Sequence, residues 1–360
     1  MPAKPTEFYS KTRYARKIIV VAPGFLGDSI HLTPSLWEIK RNYPQAELHV
    51  ASTPLGCELL AMVPCVNRLW PLARTPQGTP LREQWQWIGN VRREKFDVAF
   101  NLSGADRSVF LTFLTGARYR VAFAGGRDHF WNAWLIAHWV PRGNRQMHVS
   151  EQQRQVLAAC GLTLASARYD LRIAPEGVSW AEQNIPANAV HLSINASHFL
   201  KEWPQERWIS LAEVLLREHP DLCLVATGTA SLRERGRLEK LAAALANPRL
   251  RVFAGGVTLA QLAALLKRCS LHVGADSGAL HLAAVLGVPT VSLFRDHAGL
   301  SEWLPRGERH DHVVAPCRCV DQKVQPCLEV NRAQCLAEVS AERVLPLIRR
   351  QLGLTACGKR

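Results

Sequence analysis

The chain has 360 residues, of which 48% are hydrophobic and 21% charged, with a formal charge of +14 and ten cysteines. That length favours two domains over one core, and the composition excludes a fibrous or intrinsically disordered chain. The charge calls for an anionic partner, but the arginines are scattered and no helix-turn-helix, zinc-finger or RNP-like pattern occurs, so no nucleic acid is expected.

The N-terminal MPAKPTEFYSKTRYARK lacks the apolar centre of a signal peptide, and no run reaches the roughly 18 apolar residues of a membrane span. A cytoplasmic location is expected. Apolar runs then alternate with helical patterns: IIVVA (18–22), ELHVA (47–51), DVAFNL (97–102) and RVAFA (120–124), followed by HLSIN (191–195), LCLVATG (222–228), RVFAGG (251–256), LHVGAD (271–276) and PTVSLF (289–294). This alternation predicts an α/β fold with two Rossmann-like, doubly wound parallel sheets. The polar, proline-containing stretch 165–188 is the expected linker, giving domains at 1–170 and 185–340 and a closing helix and tail at 340–360. Open parallel sheets bind ligands at the carboxyl ends of their strands, and two such sheets are expected to face a common cleft.

The first strand end carries GFLGDSIHLTP (24–34). Gly24 and Gly27 permit a tight turn and close backbone approach, and Asp28 falls at the start of the next helix. Two readings of Asp28 stand: a helix cap, or a carboxylate placed for chemistry. The spacing departs from GxGxxG, so it gives little support to nicotinamide binding.

In the second half, INASHFLKEWP (194–204) sets Lys201 in a strand-end loop ahead of a helix start at Pro204. The run LHVGADSGALHLAAVLGVPTVSLF (271–294) reads strand, loop, helix, Gly-Val-Pro stop and strand. Asp276, Ser277 and Gly278 stand at the helix entrance, where backbone N–H groups suit a phosphate, with His281 about one and a half turns on. A capping Asp-Ser pair, a packed histidine and a solvated lysine explain the same spacing.

Taken together, GFLGDSIHLTP, KEWP (201–204) and GADSGALHLAAVLGVP (274–289) resemble the glycosyltransferase family that includes the bacterial lipopolysaccharide heptosyltransferases. The resemblance implies a GT-B fold with an acceptor-binding N-terminal half and a nucleotide-sugar-binding C-terminal half. It implies inverting transfer of heptose from ADP-heptose to the lipopolysaccharide inner core, with no cofactor and no metal. The acceptor would be a phosphorylated glycolipid of the lipid A/Kdo type, met at the inner face of the inner membrane through peripheral contact with anionic lipid. By position, Asp28 matches the catalytic base and Lys201 a phosphate-contacting lysine. Asp276, Ser277, Gly278 and His281 match the donor diphosphate loop, Ser197 a hydroxyl near the phosphates and Val257 a contact to adenine. After Phe294 the chain departs from the family's Gly-Pro-Thr-like loop with RDHAGLSEW (295–303), which leaves the donor and acceptor sugars open. The alternatives are another nucleotide sugar on the same fold, a GT-B-shaped epimerase, or a non-catalytic anion-binding protein.

Two features lie outside the resemblance. Cys317, Cys319, Cys327 and Cys335 fall close together, but their spacing does not match paired C-x2-C zinc knuckles, so packed thiols are expected. The segment DHFWNAWLIAHWV (128–140), with Phe130, Trp131, Trp134 and Trp139 flanked by Arg127 and Arg142, reads as an aromatic helix, suited either to a membrane interface or to burial.

Overall fold

The computed structural model describes residues 7–72, 80–103, 105–124, 132–136, 138–141, 146–317, 319, 327 and 330–353. The chain divides into two units, residues 1–172 with 301–303, and residues 173–300 with 304–360.

In the first unit the elements are α1 (Glu7–Thr12), β1 (Lys17–Ala22), α2 (Leu26–Asn42), β2 (Glu47–Ser52), α3 (Pro54–Leu60), β3 (Arg68–Pro71), α4 (Leu81–Arg93), β4 (Val98–Asn101), α5 (Asp106–Leu114), β5 (Tyr119–Ala124), α6 (Asn132–Leu135), β6 (His138–Pro141) and α7 (Val149–Ala159). All six strands are parallel, in the order β3-β2-β1-β4-β5-β6. β1 is central, which explains why Ile18 to Val21 are all fully buried and why its sequence is apolar throughout instead of alternating. Ile18, Val20, Val50 and Phe100 pack with Leu32, Leu36 and Ile39 of α2 and with Val156 and Leu157 of α7. Ile19, Ala51, Trp70 and Ala99 pack with Val91 and Trp87 of α4 and Leu111 of α5. Successive strand residues point to opposite faces, so these two clusters are the two faces of one sheet.

The second unit holds α8 (Pro175–Asn184), β7 (Val190–Ser193), α9 (Gln205–Glu218), β8 (Leu224–Gly228), α10 (Leu232–Leu245), β9 (Leu250–Ala254), α11 (Leu259–Arg268), β10 (Leu271–Ala275), α12 (Gly278–Val285), β11 (Thr290–Arg295), β12 (His310–Ala315), α13 (Gln334–Ala337) and α14 (Ala341–Gln351). Its parallel strands run β12-β11-β10-β7-β8-β9. Both sheets are doubly wound, as the strand-helix alternation predicts.

Two details differ from the sequence reading, which leaves a third, the packing of the closing helix, open. The stretch expected as a linker contains α8, whose Gly177 approaches the carbonyl of Ala260 so closely that an added Cβ would stand 3.1 Å from the oxygen. The closing helix α14 buries Val344, Leu345 and Ile348 in the core of the second unit. The aromatic segment is not one helix: α6 spans only Asn132–Leu135, and Trp139 belongs to β6, paired with Ala122 of β5. Arg127, Phe130, Trp131 and Arg142 lie outside the described residues.

The described cysteines are free thiols. Burial alone pushes the Cys160 thiol up to about 12. For Cys269 burial also dominates, and its thiol too reaches about 12. Cys319 and Cys327 stand 3.6 Å apart, sulfur to sulfur.

Candidate functional site

At the end of β1 the chain turns through Ala22 to Phe25 into α2, and Asp28 occupies the third position of that helix. Its Oδ2 accepts a hydrogen bond of 2.7 Å from the backbone N–H of Phe25, the residue capping the helix. This is the carboxylate half of a capping box, a side chain three residues into a helix reaching back to the capping N–H. A Cβ on Gly24 would lie 2.5 Å from Asp28 Cβ and 2.6 Å from its Oδ2, so only glycine lets the loop close over this carboxylate. The loop is fastened from the next strand end: Ser52 Oγ donates to Ala22 O at 2.9 Å, and Thr53 Oγ1 donates to Gly24 O at 3.2 Å. Asp28 itself is half-buried. One turn further on, His31 is buried among the rings of His148 (4.5 Å), Tyr169 (6.3 Å) and Trp303 (5.9 Å).

In the second unit the neighbouring strands β7 and β10 bring two separate sequence motifs together. Lys201, in a short 3-10 turn (Phe199–Lys201), places Nζ 2.7 Å from Asp276 Oδ2. His281 Nε2, in the first full turn of α12, lies 3.6 Å from Asp276 Oδ1. Ser277 caps α12, accepting from the Leu280 N–H at 3.5 Å, and its Oγ is 3.3 Å from Ser193 Oγ. Gly278 is the first helical residue, and just past the Leu286 cap of α12 stands Gly287, whose φ of +77° is the left-handed conformation that the Gly-Val-Pro stop foretells. Burial raises the Asp276 carboxyl, but the His281 hydrogen bond and the Lys201 charge outweigh it and hold the group well below the usual carboxylate range.

Ser197 is exposed in the loop before the 3-10 turn, and Val257 is half-buried just ahead of Thr258, which caps α11. The structure brings Lys201, Asp276, Ser277, Gly278 and His281 together at the start of α12, and it places Ser197 and Val257 in the strand-end loops that follow β7 and β9 of the same unit.

Sequence reasoning missed the groups that fix this loop. Buried Glu202 accepts from Ala196 N at 3.1 Å and pairs with Arg233. Arg237 donates to Ile194 O at 3.0 Å, Trp203 O at 3.1 Å and, through Nε, Asn195 Oδ1 at 3.1 Å. The available signal was Glu202 beside Lys201 in KEWP, followed by an arginine-rich α10. Ser52 and Thr53 were likewise unread.

Among the described residues, no group of three or more His, Cys, Asp or Glu side chains is arranged to hold a metal ion, and no helix is long and apolar enough to cross a membrane.

Two six-stranded parallel Rossmann-like units, each with polar groups gathered at strand ends, are the architecture of a GT-B glycosyltransferase. The structure of Escherichia coli ADP-heptose lipopolysaccharide heptosyltransferase II superposes with a TM-score of 0.75 over 93% of this chain and 98% of that one, at 20% identity. E. coli heptosyltransferase WaaC with ADP-2-deoxy-2-fluoro heptose gives 0.72 over 93% and 99%, at 19% identity. In sequence, lipopolysaccharide heptosyltransferase 1 of Pseudomonas aeruginosa is 28% identical over 91% of this chain and 96% of its own length. The chain belongs to glycosyltransferase family 9 (heptosyltransferase), whose model matches residues 85–332.

Proposed function

We propose that this glycosyltransferase moves heptose from ADP-heptose to the inner core of lipopolysaccharide, inverting the anomeric carbon, at the cytoplasmic face of the inner membrane. The observation that carries the reading is the Lys201–Asp276–His281 cluster at the start of α12 in a heptosyltransferase-family chain. In this reading the second unit holds the donor. The Lys201 ammonium and the N–H groups opening α12, at Ser277 and Gly278, receive the diphosphate, whose negative charge grows as the glycosidic bond breaks. Asp276 orients Lys201 and His281, while Ser197 adds a hydroxyl to the phosphates and Val257 an apolar contact to adenine.

The first unit holds the acceptor, a phosphorylated glycolipid. Asp28 takes the proton from the attacking hydroxyl as its oxygen closes on the anomeric carbon, opposite the departing ADP. Capping and basicity coexist in one carboxylate: the N–H of Phe25 fixes its direction, and the Gly24 turn brings backbone close without covering it with a side chain. The Gly27 position in the first turn of α2 belongs to the same loop.

Incubating the purified chain with ADP-heptose and a panel of Kdo-bearing core acceptors, and reading acceptor mass, tests the reading; gain of one heptose is expected. Turnover with a UDP-sugar alone would overturn the donor assignment. Tight ADP-heptose binding without transfer to any acceptor would favour the non-catalytic alternative.

A further inference from the structure

One face of the first sheet is roofed by α4 and α5, which share a cluster through Trp87, Val91 and Leu111, and α6 joins α5 through Val109, Leu135 and Ile136. The outer surface of this roof is unusually apolar. Leu81 is 72% exposed, Trp85 68%, Phe110 53%, Phe113 36% and Trp134 83%, making five of the large hydrophobic side chains that the fold leaves in solvent. Isolated exposed hydrophobics are ordinary, but a contiguous set marks an interaction surface.

Spacing and packing place these side chains on neighbouring helices over the same sheet face. Leu81, Trp85, Ile88 and Arg92 fall at i, i+4, i+7 and i+11 of α4, a single stripe along one side of the helix. At its foot the Arg92 guanidinium reaches Gly116, in the turn closing α5, with Nε 3.4 Å from where a Cβ would stand. Phe113, one turn earlier, carries the Arg120 guanidinium 5.5 Å above its ring.

The charge on this roof selects its occupant. Within α4 and α5 the arginines 82, 92, 93 and 107 stand against Glu83 and Asp106, in a chain carrying +14 overall. A second copy would present the same positive face, so like charges would oppose pairing. Tryptophan and phenylalanine interleaved with arginine instead match the boundary of an anionic bilayer, where rings enter the headgroup layer and guanidinium groups meet phosphate.

We propose that the outer face of α4, α5 and α6 is a docking surface for an anionic lipid bilayer, with Leu81, Trp85, Phe110 and Trp134 entering the headgroup layer and Arg92 and Arg107 meeting lipid phosphate. It deepens the functional reading above by naming the face that brings the acceptor unit to its lipid, and it uses no residue assigned to catalysis or donor binding.

The test is co-sedimentation of the full chain with phosphatidylglycerol–phosphatidylethanolamine vesicles and with phosphatidylcholine vesicles. Binding to the anionic vesicles should exceed binding to the neutral ones and fall steeply with salt. The pair Trp85→Glu and Phe110→Glu should reduce it by roughly tenfold or more, and Arg92→Gln with Arg107→Gln should flatten its salt dependence. Melting temperature is read for each variant; should the glutamate pair unfold the chain, Trp85→Gln with Leu81→Gln replaces it at two exposed positions. Turnover of a deacylated, water-soluble acceptor should be unchanged in the folded variants while turnover of vesicle-borne acceptor falls. Unaltered vesicle binding in the variants overturns the proposal, as does a wild-type dimer that the variants dissociate. Loss of vesicle binding in a chain that never turns over ADP-heptose would sustain the docking surface and defeat the functional reading instead.

Discussion

Lys201 Nζ lies 2.7 Å from Asp276 Oδ2, joining residues from loops that follow two adjacent strands of the second unit. A lysine tied to a carboxylate is held in one place before any phosphate arrives. A diphosphate would then compete for an ammonium group already oriented toward the start of α12, and most of the positional cost is met in folding.

Lys201→Ala is therefore expected to weaken ADP binding by roughly ten- to a hundredfold, the usual range for a charge-assisted contact. Isothermal titration with ADP measures it directly. Unchanged affinity would make Lys201 only the counter-ion of Asp276.

Asp28→Asn separates capping from catalysis. The asparagine amide oxygen can still accept the Phe25 N–H, and only a charge–dipole contribution of roughly 0.3–1 kcal/mol in the first turn is lost, so the melting temperature should move little, whereas turnover should fall by roughly 10²–10⁴ because an amide cannot accept the proton. Asp28→Ala should lower both. Near-normal turnover in the asparagine variant would reduce Asp28 to a cap.

A third expectation concerns acid. His191 and His272 are fully buried on adjacent strands, paired in register, with their Nδ1 atoms 2.9 Å apart. Burial pushes His191 down to about 3, and burial with the neighbouring His191 and His281 pushes His272 well below its ordinary value. Both rings are thus neutral in the fold, while the unfolded chain binds protons near pH ~6.5. Stability from this pair is complete above that value and is lost as pH falls toward the folded pKa, by up to ~1.4 kcal/mol per pH unit for each ring. Melting temperatures between pH 8 and pH 5 should drop in the wild type and drop less steeply in His191→Gln. Parallel slopes would show that other groups govern acid sensitivity.

Arg154 supplies a stability test in the first unit. It is 8% exposed and pairs with Glu38, 3% exposed, and with Glu151. Removing one member of a buried pair leaves a charge uncompensated and typically costs ~3–5 kcal/mol; the second partner of Glu38, Arg41, should hold Arg154→Ala near the lower end. Urea unfolding measures this, and a loss below ~1 kcal/mol would place the pair among surface bridges.

Much of this architecture was legible because inner strands of parallel sheets are buried on both faces and read as unbroken apolar runs. The strands that escaped notice, RLWP of β3, HWVP of β6 and HDHVVA of β12, are all at sheet edges, where short length and polar residues hide the pattern. Asp28, Lys201 and the 276–281 run stood out as local motifs at strand ends. The pairing of Lys201 with Asp276 did not, since it depends on β7 lying beside β10, a crossover that no local spacing records. The arginines of α10 that pin the Lys201 loop were invisible for the same reason.

The contact between Gly24 and Asp28 sets a limit on how this sequence can drift. Any side chain at position 24 would enter the space held by Asp28 Cβ, so even alanine must push the carboxylate away or open the loop that Thr53 fastens. In a library randomised at that codon and selected for a complete lipopolysaccharide core, glycine alone should be recovered, while position 89, where an added Cβ would meet nothing within 4 Å, should accept many residues.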